Sequence, residues 1–155
     1  MASQPPPNPP SPGNINQQIL NEAVYLFNIG ASTAAGPLCY KGDPLPGDCA
    51  CAWEVNNILA SFGLKKLGAN TNFVPSLEAD LKAGRGVLIP NTSQNPAQPG
   101  DIVVQADQGH VGVCITKMCT TVYSTSSSHG KFSTNDGPSI FLPASEPGRI
   151  YRVIK

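Results

Sequence analysis

Two residues in this chain have the type and setting to do covalent chemistry, Cys51 and His110. Cys51 opens the stretch Cys51-Ala52-Trp53-Glu54-Val55-Asn56-Asn57-Ile58-Leu59-Ala60-Ser61-Phe62-Gly63. Val55, Ile58, Leu59 and Phe62 lie four, seven, eight and eleven residues after it, the repeat of an amphipathic helix whose apolar stripe the cysteine heads. Gly63 is the predicted stop. A thiol in a first helical turn lies near unpaired backbone N–H groups and the positive end of the helix dipole, and both favour thiolate. His110 sits in Gly109-His110-Val111-Gly112-Val113-Cys114-Ile115, which reads as a strand. The period of two places Val111, Val113 and Ile115 on one side and His110, Gly112 and Cys114 on the other.

A cysteine nucleophile needs a base in hydrogen-bond reach and usually a third group that orients the imidazole. Of the two histidines, His129 falls in the loop Ser126-Ser127-Ser128-His129-Gly130, so His110 is the expected base. A two-residue turn at Thr116-Lys117 would set Cys114 opposite Cys119, close enough for a cross-strand disulfide. That register also sets His110 opposite Tyr123, with Thr125 next on the same face and Ser124 on the other. Thr125 is therefore the expected third member, and a main-chain carbonyl is the alternative.

Gln98-Pro99-Gly100-Asp101-Ile102-Val103-Val104, a turn feeding a strand, stands between the two. A cysteine heading a helix, this Pro-Gly-Asp turn and a strand-opening histidine, in that order, resemble the NlpC-type cysteine peptidases and the CHAP amidases, over roughly residues 38 to 152. The resemblance implies an α+β, minimal papain-like fold, with N-terminal helices packed on an antiparallel sheet. It implies hydrolysis of a peptidoglycan amide through a Cys51 thioester, with His110 as base; two histidines and no clustered carboxylates make a poor metal site, so no metal or organic cofactor is expected. Tyr40-Lys41-Gly42 and Gly47-Asp48-Cys49 resemble the approach to the NlpC nucleophile and make Cys49 a rival. Counting from Cys49, however, puts Trp53 and Asn56 on the buried stripe, so Cys51 is preferred. Asp48 is the expected N-cap.

The chain departs from the family in two places. His, Asn, Asp or Glu usually holds the imidazole, whereas Tyr123 to Ser128 offers only hydroxyls. The CHAP amidases carry Gln before the cysteine, where this chain has Ala50, leaving Tyr40, by resemblance to the NlpC group, as the candidate for the second oxyanion donor beside the Cys51 N–H. Two other functions stay open: an effector or toxin acting on a protein amide, and a cell-wall-binding module whose triad has decayed.

Ten acidic residues balance ten basic ones within 155, and only 13% of residues are charged. No broad basic surface exists for nucleic acid, and no apolar run reaches the ~20 residues of a membrane span. Bridges Cys39–Cys49 and Cys114–Cys119 would leave Cys51 as the odd thiol among five cysteines. That pattern suits a secreted, periplasmic or cell-wall enzyme.

Around these residues the sequence predicts one domain, 14–155, behind a disordered tail, 1–13, that holds six of the sixteen prolines. Helices are expected at 14–29, 51–62 and 75–83. Strands are expected at 87–89, 101–104, 109–115, 119–125 and 149–154, the middle three forming a meander.

Overall fold

The computed structural model describes residues 15–31, 50–126 and 131–155. Three helices come first: α1 (Ile15–Asn28), α2 (Ala50–Ser61) and α3 (Val74–Asp80), the last running into a wide turn at Leu81–Arg85. Six strands follow: β1 (Gly86–Ile89), β2 (Ile102–Val104), β3 (Val111–Cys114), β4 (Thr121–Ser126), β5 (Lys131–Asp136) and β6 (Arg149–Val153). They form one antiparallel sheet in the order β1-β6-β2-β3-β4-β5. The class is α+β, as the sequence indicates.

The helical stripes become buried faces. Ile15, Ile19 and Ala23 of α1 and Cys51, Val55, Ile58 and Leu59 of α2 join Ile102, Val104, Val111 and Val113 of the central strands in one core. α2 stops where Gly63 adopts a positive φ of 87° and the N–H of Leu64 donates to the Leu59 carbonyl. The opposite face of the sheet has its own smaller core, built from Val103, Cys114, Val122 and Ile150 and closed by Ala97, Cys119 and Phe141. Every residue of β2 and β3 is buried, because both faces of these strands are covered.

The Pro-Gly-Asp turn locks α1 to the sheet. Asp101 is fully buried and its carboxylate accepts from the Asn16 amide at 2.8 Å, the Gln98 N–H at 2.8 Å and the Arg152 guanidinium at 2.9 Å twice. Gly100 has φ of 94°, and a Cβ there would stand 2.3 Å from the Asn16 carbonyl oxygen. Helix and turn meet this closely only because that position is glycine.

Two expectations are corrected here. Lys131–Asp136, polar but for Phe132, is a strand that pairs with β4 over six residues. The β3–β4 register also differs. A short turn at Lys117–Cys119, with Met118 and Cys119 at positive φ, replaces the two-residue turn, so Cys114 pairs with Val122 and Val113 with Tyr123. The Cys114–Cys119 disulfide forms nonetheless, with Cα atoms 4.8 Å apart, between strand and turn rather than across two strands. The proposed Cys39–Cys49 bridge and the tail 1–13 lie outside the described residues. Among the described residues no helix is long and apolar enough to cross a membrane.

Candidate active site

Cys51 stands in the first turn of α2, as the sequence predicts, and is the free thiol among the described cysteines. Three backbone N–H groups are directed at it, those of Cys51 and Ala52 at the helix head and that of Val111 in β3. The Val111 N–H is available because the β3–β4 ladder ends at Val113 and Tyr123. These donors favour thiolate, but the side chain is only 2% exposed, and burial outweighs them and pushes the thiol up to about 11. Burial thus opposes the preference for thiolate that the helix head gives.

His110 immediately precedes β3, and its carbonyl continues the ladder by accepting from the Gln105 N–H at 3.0 Å. Its Nε2 lies 2.9 Å from Ser124 Oγ, which also accepts from the Asn135 amide at 2.7 Å. The ring stacks on Phe141 with centroids 5.5 Å apart. Burial lowers the imidazole to about 4, so it is neutral near pH 7.

The sheet separates these two groups. Val111 packs in the core under the helices with Cys51, whereas Ser124 and Phe141, which hold His110, belong to the other face. No hydrogen bond joins Cys51 to His110. The structure therefore sets the thiol beside the main chain of the residue that follows His110 but turns the imidazole away.

Thr125, the expected third member, does not meet the imidazole. Its hydroxyl donates to the Ala50 carbonyl at 3.3 Å, beneath the head of α2. The cause is the register: it departs from the expected one by three residues, and any odd displacement exchanges the faces of a strand. Ser124 consequently takes the place assigned to Thr125. Trp53 is half-buried on α2, and Gln98 contributes its main-chain N–H to the Asp101 carboxylate. Tyr40, Asp48, Cys49 and His129 lie outside the described residues.

Sequence reasoning missed three polar features. Asn135 supports Ser124 from β5, a strand that periodicity did not show. Glu78 of α3 is fully buried and accepts from Gln108 at 2.7 Å, from Arg149 at 2.8 Å through Nη2 and again through Nε, and from the Tyr151 hydroxyl. Burial would raise this carboxyl, but the bonds from Arg149, Tyr151 and Gln108 prevail and hold it down at about 2. Glu54 is the third, buried on α2. A signal for it existed, since it stands three residues after Cys51 and four before Ile58, within the apolar stripe.

On the imidazole side a groove of about 220 Å³ runs between Gln105, Asp107, Ile140, Phe141 and Glu146. Phe141 forms part of its wall and also carries the His110 ring. No protein-family model, no curated protein and no solved structure matches this chain.

Proposed function

We propose that this protein is a cysteine-dependent amide hydrolase on a minimal papain-like fold, with Cys51 as nucleophile, His110 as base and a peptidoglycan peptide as substrate. The observation that carries this reading is the contact between the free thiol at the head of α2 and the Val111 N–H, one residue from His110. Helix head and histidine strand thereby meet at one point of the fold.

The reaction follows from these groups. The Cys51 proton passes to His110 as sulfur bonds to the amide carbon, and the imidazolium returns the proton to the departing amine. Water, deprotonated by His110, then attacks the thioester carbon, the carbon–sulfur bond breaks to release the acid, and the imidazolium returns the proton to the Cys51 sulfur. The Cys51 N–H supplies one donor to the tetrahedral oxyanion. With a thiol near 11 and an imidazole near 4, the described conformation holds the pair neutral. Turnover requires a movement that brings the ring to the sulfur. A secreted, periplasmic or wall location accords with the Cys114–Cys119 disulfide.

The burial of Cys51 favours a second reading, a cell-wall-binding module without turnover. Digestion of purified peptidoglycan, followed by mass spectrometry of the released fragments, separates the two. Wild-type protein should release new amine and acid ends, and Cys51→Ala should lose that release at least 100-fold while keeping its circular dichroism spectrum. Equal release by both proteins would reject Cys51 as nucleophile, and binding without release would establish the second reading.

A further inference from the structure

Among the described residues, buried polar side chains have partners, with one exception. Asn56 bonds the Leu67 carbonyl at 3.0 Å, the Thr71 carbonyl at 2.7 Å and the Leu67 N–H at 2.7 Å. Glu78, Asp101, Ser124 and Thr125 are bonded as described above. Glu54 is 4% exposed and makes no hydrogen bond or ion pair among the described residues. A carboxylate buried without a partner destabilises a fold, so a carboxyl in this state tends to keep its proton and stay neutral.

Among the described helices and strands packed on α2, its surroundings offer only acid. α2 packs on α1, β3, β4 and α3, and none of these four elements, nor α2 itself, carries Lys, Arg or His. The one charged residue of α1 is Glu22, which is half-buried and whose charge acts on Glu54. α3 contributes Glu78, saturated by Arg149, Tyr151 and Gln108, and Asp80, which accepts from the Gly68 N–H at 2.9 Å and lies 3.6 Å from Arg85. β4 contributes Tyr123, whose ring stacks on Phe27 at 4.1 Å. His110 lies across the sheet with Ser124.

We propose that Glu54 and Glu22 form a carboxyl pair that keeps a proton at the α1–α2 interface and makes the docking of α1 on the Cys51-bearing helix sensitive to pH. The inference stands whether or not the chain is a hydrolase, because it uses no property of the thiol. Burial is the larger cause and the Glu22 charge the smaller in raising Glu54 to about 7, and burial also raises Glu22. Near neutrality the pair therefore has a proton to lose. α1 is anchored on both sides of Glu22, through Asn16 before it and through the stacking of Phe27 on Tyr123 after it, so loss of that proton acts on the contact between these two anchors.

The sign follows from linkage. A carboxyl raised in the folded state binds more protons there than in the unfolded chain, so its contribution is full at pH below the ordinary 4.5 and is lost as pH rises to about 7. His110, lowered from 6.5 to about 4, acts oppositely over much of this range, so the wild-type curve alone does not isolate Glu54. The difference between Glu54→Gln and wild type does.

Two measurements on the full chain test this. The melting temperature of Glu54→Gln minus that of wild type should climb between pH 4.5 and 7 and level off above. A difference that stays constant with pH would overturn the proposal. In wild type, the ¹³C carboxyl resonance of Glu54 should titrate near 7, and Glu22→Gln should lower that midpoint. A midpoint in the ordinary glutamate range, or one that Glu22→Gln leaves in place, would overturn it even if Glu54→Gln fails to fold.

Discussion

The face of the sheet under the helices and the face turned away from them carry the two halves of the candidate chemistry under different rules. Beneath the helices, the thiol is enclosed by apolar side chains and, among the described residues, is reached by main-chain N–H groups. On the far face, the imidazole is held by a side-chain relay, Asn135 to Ser124 to His110, against an aromatic ring. Both environments suppress charge by desolvation, raising the thiol and lowering the imidazole. The contrast teaches that sharing a strand neighbourhood is not sharing a face. One residue along β3 moves a side chain from the helical core to the opposite core.

The comparison breaks most visibly through packing. Phe132, on the helical side, and Phe141, on the other, are both buried. Replacing either by Ala should cost about 4 kcal/mol in urea unfolding. The two should differ at His110: Phe141→Ala removes the surface under the ring and should move its NMR titration midpoint, whereas Phe132→Ala should leave the midpoint in place. Equal shifts would mean that the two cores are not independent.

Gly112 tests the far face more locally. A Cβ there would stand 2.5 Å from a Val122 methyl and 2.9 Å from the Tyr123 carbonyl oxygen. Gly112→Ala should therefore lose about 2 kcal/mol through overpacking and displace Ser124, whose Cβ lies 3.1 Å away. An unchanged melting temperature would contradict the β3–β4 register described above.

Smallest in energy and sharpest in meaning is the pair of adjacent hydroxyls. Ser124→Ala and Thr125→Val should each cost about 1 kcal/mol. Only Ser124→Ala should shift the His110 titration, because Thr125 is bonded to the Ala50 carbonyl instead. A shift in Thr125→Val alone would restore the partner expected from sequence.

Much of the scaffold was legible in the sequence. The apolar spacing in α2, the stop at Gly63, the strands around Val103, Val113 and Tyr151 and the Cys114–Cys119 bridge depend on neighbours a few residues apart, so local pattern suffices for them. β5 was not legible, because its sequence is largely polar and its strand character comes from six pairings with β4. The same holds for β6, recognisable as a strand but not as the one that lies between β1 and β2.

The residues around the candidate site divide in the same way. Sequence alone determined that a cysteine heads a helix, that a histidine opens a strand and that hydroxyls follow in β4, since these are matters of order and period. Only the tertiary structure decided which hydroxyl meets the imidazole, which face each group takes and which carboxyl is buried without a partner among the described residues. The physical reason is that a strand's period is two: the positive-φ turn at Met118 and Cys119 displaces β4 by an odd number of residues, and every side chain on it changes sides.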